Sequence, residues 1–159
     1  MGGAVALQVA LERPGLLKGL ILVATTAYLE TLALTPDILL CAAATVPHKF
    51  KGMFTSYTVA KEALDIARND VRRCSLETVL GDFAACRHFD FRSKLKGLKV
   101  PTLILCGKED RITPPRHSKQ LHREIRGSSF LLIPKAGHML PLEAPTQVNT
   151  AIREFVRKL

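Results

Sequence analysis

Residues 100–106 have the sequence VPTLILC, a short apolar run that ends at Gly107. Two similar runs are GLILVA, from Gly19 to Ala24, and SFLLI at residues 129–133. Short, continuous apolar runs bounded by turn residues are typical of strands that are buried on both faces of a parallel sheet. The sequence therefore predicts about three parallel strands.

Helices are predicted beside and between these strands. Residues 3–12 show the helical spacing of small and apolar residues and are followed by the stop signal Arg13-Pro14-Gly15. Pro114-Pro115 opens a helix over residues 116–125, and Pro145 starts another over residues 146–158. Strands that alternate with helices in this way predict an α/β fold in which helices cover both faces of the sheet.

The segment 28–92 differs in character from the rest of the chain. It has no strand-like run, and helical periodicity dominates, for example at residues 59–67. We interpret this segment as a helical insertion. The chain then divides into a helix and strand at residues 1–27, the insertion at 28–92, and a C-terminal α/β part at 93–159.

Length and composition are those of one globular domain. The chain has 159 residues, of which 47% are hydrophobic and 23% are charged, and these values exclude a disordered or collagen-like chain. No apolar run reaches the length of about 18 residues that a membrane-spanning helix needs. No basic region precedes the first apolar segment either. We therefore expect a soluble, cytoplasmic protein with no membrane span.

The net charge of +9 makes a basic, nucleic-acid-binding module one alternative. The basic residues are scattered over several predicted elements, and the chain has no Trp and only 2 Tyr with which to stack bases. The 4 cysteines show no zinc-ligand spacing and lie mostly among apolar neighbours, which predicts buried, reduced thiols. We expect no nucleic acid, no metal and no cofactor.

Polar residues follow two of the predicted strands. Asp110 lies in GKEDRITP at residues 107–114, and His138 lies in PKAGHM at residues 134–139. Ligands bind at the carboxyl ends of parallel strands. A carboxylate there can orient an imidazole and stabilise the imidazolium, while the imidazole moves a proton in acyl transfer. Alone, each residue is more typical of a turn or a polar surface. On consecutive strand ends they favour a catalytic acid–histidine pair.

These two segments resemble the acid loop (Gly-x-x-Asp-x-x-x-Pro) and the histidine loop (Gly-His) of the α/β-hydrolase superfamily. The tail that begins at Leu142-Glu143-Ala144-Pro145 is similar to the last helix of that superfamily, and the insertion is similar to its helical lid. The resemblance implies that Asp110 is the triad acid and His138 the triad base. It also implies a serine carboxylester hydrolase that acts on small to medium acyl esters through an acyl-enzyme. Apolar residues of the insertion, such as Ile38 and Met53, are then candidates for an acyl pocket.

The sequence departs from the superfamily at the nucleophile. The superfamily's serine lies in a Gly-x-Ser-x-Gly elbow that often continues as Met-Gly-Gly, and this chain opens with Met1-Gly2-Gly3. These three residues resemble a remnant of the elbow, with the serine expected just before Met1 and an oxyanion amide at Met1. No remaining serine lies in such a motif, although Thr25 and Thr26 follow the first strand. The chain therefore shows no complete triad.

Two hypotheses follow from this departure. In the first, the sequence is the C-terminal half of a serine hydrolase that starts at an internal methionine and is inactive alone. In the second, it is a non-catalytic chain that self-associates or pairs with a partner supplying the other half. The strand edge from Gly19 to Ala24, which would lack a neighbour, is the expected homodimer interface.

Overall fold

The computed structural model describes residues 1–28, 65, 69, 73–86 and 89–159. Three strands are present in this part of the chain: β1 (Leu20–Val23), β2 (Thr102–Gly107) and β3 (Ser129–Ile133). The helices are α1 (Gly2–Glu12), α2 (Leu76–Cys86), α3 (Pro115–Glu124), α4 (Leu140–Glu143) and α5 (Pro145–Val156), with 3-10 turns at Pro14–Leu16 and Leu95–Gly97. The predicted α/β fold is confirmed.

The strands form one parallel sheet in the order β1-β2-β3. Leu20 pairs with Thr102 at the start of β1, and Gly107 pairs with Ile133 at the end of β2. Among the strands that the structure describes, β1 therefore lies at one edge, and β2 is buried along its whole length. Because all three strands run in the same direction, their carboxyl ends meet at one edge of the sheet.

Each face of the sheet has its own apolar core, because successive side chains of a strand point to opposite faces. On one face, Leu22 of β1 and Ile104 of β2 pack with buried residues of α1 and of the α3 region: Ala4, Leu7, Ala10, Leu121 and Ile125. On the other face, Leu103 and Leu105 of β2 pack with buried residues of α4 and α5: Leu140, Val148 and Ala151. Burial of each such leucine contributes about 1.5–3 kcal/mol to folding.

Local signals in the sequence set the ends of the helices. The N–H of Arg13 donates to the C=O of Val9 at 2.8 Å, and Pro14, which has no N–H, follows it and ends α1. Pro115 and Pro145 stand at the starts of α3 and α5, as predicted. The short helix α4 was not predicted, because a single turn is too short for a periodic pattern.

Most of the segment interpreted as a helical insertion (28–92) lies outside the described residues, and so do the apolar pocket candidates within it. Where the segment leaves and re-enters the fold, Tyr28 and Asp90 form an antiparallel bridge. Beside this bridge, the N–H of Phe91 donates to the C=O of Ala27 at 2.9 Å. The two ends of the segment therefore meet next to the carboxyl end of β1.

None of the described helices is long and apolar enough to cross a membrane.

Gly3 allows α1 to approach the segment that follows β1. A Cβ atom on Gly3 would lie 2.1 Å from Oγ1 of Thr25 and 2.7 Å from its Cβ. A Cβ on the neighbouring Gly2 would meet nothing within 4 Å. The first turn of α1 thus requires glycine at one of two adjacent positions and tolerates a side chain at the other.

We expect Gly3→Ala to lower the free energy of unfolding by about 1–3 kcal/mol, because overpacking forces a backbone shift of that cost. Gly2→Ala, in the same helical turn, should leave it unchanged or slightly raised. Urea denaturation followed by circular dichroism measures both variants. Equal stabilities of the two variants would contradict the contact with Thr25.

Candidate active site

The loops that follow β2 and β3 are joined through their backbones. The N–H of Lys108 donates to the C=O of Ile133 at 2.8 Å, and the N–H of Glu109 donates to the C=O of Ala136 at 2.9 Å. Gly107 makes this approach sterically possible, since a Cβ there would lie 2.3 Å from the carbonyl oxygen of Ala136. We call residues 108–114 the acid loop and residues 134–139 the histidine loop.

Asp110 lies buried at the centre of the acid loop, with 3% of its surface exposed. Its Oδ1 accepts hydrogen bonds from the N–H groups of Ile112 and Thr113, both at 2.9 Å. Its Oδ2 accepts a hydrogen bond from the Thr113 hydroxyl at 2.8 Å. These bonds offset the cost of burying the carboxylate and fix its orientation.

The imidazole of His138 contacts this carboxylate. Its Nδ1 lies 3.0 Å from Oδ2 and 3.2 Å from Oδ1 of Asp110, and 3.3 Å from the hydroxyl of Thr113. Because an ionised carboxylate can only accept, Nδ1 carries the proton of a neutral imidazole and Nε2 carries the lone pair. The His138 side chain is 26% exposed while that of Asp110 is fully buried, so the ring lies between the buried acid and the surface. Such a pair can remove a proton from a group placed at Nε2.

The histidine loop has contacts that the sequence did not predict. Lys135 has a φ of 58°, a left-handed backbone conformation that residues other than glycine rarely adopt. Glu143, in α4, accepts hydrogen bonds from the N–H of Gly137 at 2.8 Å and from the N–H of Met139 at 3.1 Å. Glu143 belongs to the tail that resembles the last helix of the superfamily. That resemblance alone did not predict that Glu143 contacts the histidine loop.

A second polar cluster lies at the same edge of the sheet, beyond β1. The Thr26 hydroxyl donates to the C=O of Tyr28 at 2.8 Å and lies 3.1 Å from Nδ1 of His117 in α3. Its only proton serves Tyr28, so His117 is the donor in the second bond. The Tyr28 ring also contacts the His117 ring edge-on, and the Arg92 guanidinium lies 3.9 Å from the centre of the Tyr28 ring. Thr26, which follows the first strand, is 2% exposed and is held in this cluster.

Met1, Gly2 and Gly3, which are predicted to be a remnant of a nucleophile elbow, lie at the start of α1. Met1 and Gly2 are exposed, the C=O of Met1 accepts a hydrogen bond from the N–H of Ala4 at 2.8 Å, and Gly3 packs against Thr25. Thr25 itself follows the carboxyl end of β1. The remnant thus lies near the same edge of the sheet as the two loops.

Two of the described serines and two of the described cysteines lie in surroundings that differ from a nucleophile elbow. Ser128 contacts Nδ1 of His122 at 2.9 Å just before β3, at the end of the sheet away from His138. Ser75 accepts a hydrogen bond from the N–H of Thr78 at the start of α2.

Burial raises the pKa of the Cys106 thiol, which therefore stays protonated near neutral pH. Cys74, predicted as one of the buried thiols, is exposed. Among the described residues, no three His, Cys, Asp or Glu side chains converge as a metal site would require.

Solved structures share this fold over nearly the whole chain. A thermophilic esterase from Thermogutta terrifontis superposes with a TM-score of 0.85 at 28% sequence identity, over 99% of this chain and 62% of that chain. A hydrolase from Pseudomonas aeruginosa has the same TM-score at 23% identity, over 97% of this chain and 61% of that chain, and shows the fold alone. The parallel sheet, with acid and histidine loops after consecutive strands, is the α/β-hydrolase fold.

Sequence comparison gives the family. A family model described as serine aminopeptidase, S33, matches residues 1–145. The pimeloyl-(acyl-carrier protein) methyl ester esterase of Neisseria meningitidis serogroup C is 30% identical over 98% of this chain and 66% of its own length. The chain therefore belongs to the S33 serine aminopeptidase family of the α/β-hydrolase superfamily, which includes esterases. It spans 54–66% of the length of the first curated relatives that it matches.

We expect Gly107→Ala to displace the histidine loop, because the new Cβ would meet backbone atoms of Ala136 and Gly137 that cannot rotate away. The free energy of unfolding should fall by about 1–3 kcal/mol. Gly97→Ala is the matched control, because a Cβ there would meet nothing within 4 Å. Thermal unfolding measures both variants, and unchanged stability of Gly107→Ala would contradict the close approach of the loops.

Proposed function

We propose that this chain carries the acid and the base of a serine carboxylester hydrolase, with Asp110 as the acid and His138 as the base. The observation that supports this proposal is the distance of 3.0 Å between Nδ1 of His138 and Oδ2 of Asp110, at the carboxyl ends of adjacent parallel strands. A buried carboxylate in this position orients the ring and stabilises the imidazolium that forms during acyl transfer. The ester-cleaving relatives support an acyl ester as substrate.

In the proposed reaction, a serine oxygen bonds to the ester carbonyl carbon while Nε2 of His138 takes the serine proton. The ester C–O bond then breaks, and His138 gives that proton to the leaving oxygen, which departs as an alcohol. Water next attacks the acyl-enzyme, again losing a proton to His138. The C–O bond between the acyl group and the serine then breaks, His138 gives this proton to the serine oxygen, and the acyl group leaves as a carboxylic acid. Asp110 remains ionised throughout and keeps Nδ1 protonated.

We further propose that the nucleophilic serine is not among these 159 residues, because they contain no Gly-x-Ser-x-Gly motif. The tight contact of Gly3 with Thr25 supports the interpretation of Met1-Gly2-Gly3 as the end of an elbow, where a glycine allows helix and strand to approach closely. The chain as given is then inactive, and its acid and base act once a serine elbow is supplied from other sequence.

We also propose that segment 28–92 is the lid over the acyl group. The Tyr28–Asp90 bridge lies where this segment leaves and re-enters the fold, beside the carboxyl end of β1 and the Thr26–His117 cluster. Both ends of the segment therefore lie at the sheet edge that carries the acid and histidine loops. Small to medium acyl groups would bind between this segment and His138.

The test is hydrolysis of p-nitrophenyl butyrate together with labelling by a fluorophosphonate probe. We expect no turnover and no adduct from the 159-residue chain. A longer product of the same gene that includes an upstream elbow should turn over the ester and lose about 10³-fold or more in kcat with His138→Ala. His122→Ala, which removes an exposed histidine, is the matched control. Turnover by the short chain would contradict the absent nucleophile, and full activity of His138→Ala would contradict the proposed base.

A second candidate function, that of a self-associating chain, has one observation in its favour. Among the described strands β1 pairs with β2 alone, and α1 beside it exposes Met1, Val5 and Val9. An apolar edge of this kind is a template for pairing with another copy. The partner copy would then add a strand next to β1.

We expect sedimentation velocity to show a homodimer that Val5→Glu combined with Val9→Glu dissociates, because the new charges would be buried without partners. Val156→Glu, at an exposed valine near the end of α5 on the other face of the sheet, is the control and should leave the dimer intact. A chain that is monomeric at all concentrations would contradict this second candidate.

A further inference from the structure

The carboxylate of Glu143 contacts the backbone on both sides of His138. One oxygen, Oε2, accepts a hydrogen bond from the N–H of Gly137 at 2.8 Å, and the other, Oε1, accepts one from the N–H of Met139 at 3.1 Å. The residue between these two amides is His138. Both oxygens of one side chain are thus used to hold the two neighbours of a single residue.

Backbone hydrogen bonds within α4 hold Glu143 close to Met139. Met139 is the residue before the first turn of α4, and its C=O accepts hydrogen bonds from the N–H groups of Leu142 and Glu143 at 2.9 and 3.1 Å. The side chain of Glu143 therefore returns to the start of its own helix, as a glutamate does in a capping box. Helix α4, with Leu140 fully buried, is itself fixed to the core.

Other features fix the first half of the histidine loop. The C=O of Ala136 accepts the hydrogen bond from Glu109 of the acid loop, and Lys135 adopts its left-handed conformation one residue earlier. These contacts fix the loop as far as Ala136. In the second half of the loop, Glu143 accepts hydrogen bonds from the backbone N–H groups of Gly137 and Met139.

We propose that Glu143 is a positioning residue for His138, fixing the backbone at Gly137 and Met139 so that Nδ1 of the ring meets Asp110. This inference rests on the proposed function, in which His138 is the base. Glu143 does not touch the reacting atoms in this proposal. Its contribution is geometric, since a base that is misplaced by about 1 Å can lose about 100-fold in rate.

The two bonds require a carboxylate in particular. An ionised carboxylate offers two acceptor oxygens, whereas a Gln amide offers one oxygen and directs its N–H groups at the other backbone donor. Bonds to a charged acceptor are also about twice as strong as bonds between neutral groups. Glu143→Gln keeps the shape of the side chain and breaks at least one of the two contacts.

The test uses the 159-residue chain and nuclear magnetic resonance, so that it needs no turnover. In Glu143→Gln we expect the amide protons of Gly137 and Met139, and the Nδ1 proton of His138, to exchange with water about tenfold faster than in the wild type, the effect of losing about one hydrogen bond. Glu154→Gln makes the same charge change at an exposed site on α5 and is the matched control. Wild-type exchange at all three protons in Glu143→Gln would overturn the proposal.

Glu143→Asp is the second variant, because it keeps the charge but is one methylene shorter. We expect it to give a smaller increase in exchange than Glu143→Gln. In a longer product that turns over ester, Glu143→Gln should lower kcat by about 10- to 100-fold with little change in KM. If Glu143→Gln lowers the melting temperature but leaves the exchange rate of the His138 Nδ1 proton unchanged, Glu143 has a structural role only, and the proposal is overturned. If the ring proton exchanges more slowly in the wild type than in Glu143→Gln, but a longer product that includes a serine elbow hydrolyses no ester, then the positioning role stands and the proposed function is overturned.

Discussion

The backbone contact between the end of β2 and the histidine loop determines the site. Beyond the end of β2, the N–H of Lys108 donates to the C=O of Ile133, the last residue of β3, and the N–H of Glu109 donates to the C=O of Ala136 in the histidine loop. This is an extension of the sheet's hydrogen bonding into two loops, and it requires Gly107, where a side chain would collide with Ala136. Asp110 follows directly after these bonds, so its carboxylate is placed by the sheet itself. The contact of Asp110 with His138 is a consequence of this backbone arrangement.

In the proposed function, acid–base chemistry and substrate selection belong to different parts of the chain. Asp110, Thr113, His138 and Glu143 all lie between β2 and α5, in a part of the chain packed on two apolar cores. Residues that would contact an acyl group are proposed for the segment between Tyr28 and Asp90. One fold hosts many reactions, and we therefore expect groups outside the acid–histidine pair to determine the identity of the substrate.

Much of the fold and half of the site could be predicted from the sequence. The strand at residues 129–133 was predicted with the observed bounds, because its continuous apolar run is visible in one dimension. The prediction that this strand is buried on both faces is wrong, since Ser129 and Leu131 are exposed. Asp110 and His138 could be found because each follows such a run. Glu143 and the Thr26–His117 pair could not, because their partners are backbone groups or side chains brought together only by the tertiary fold. The prediction that Cys74 is buried is wrong, and its polar neighbours Arg73 and Ser75 are consistent with its exposed position before α2.

The order of the strands has a consequence for how the molecule folds. Strands β2 and β3 are joined by α3 alone, so their pairing closes a short loop, whereas β1 reaches β2 only after the whole segment 28–92 has been spanned. Closing a longer loop costs more chain entropy and slows the formation of the contacts that depend on it. We therefore expect the β2–α3–β3 unit to form first and β1 with α1 to dock onto it afterwards. The acid and histidine loops belong to the early unit, so the pair would be assembled before the sheet is complete.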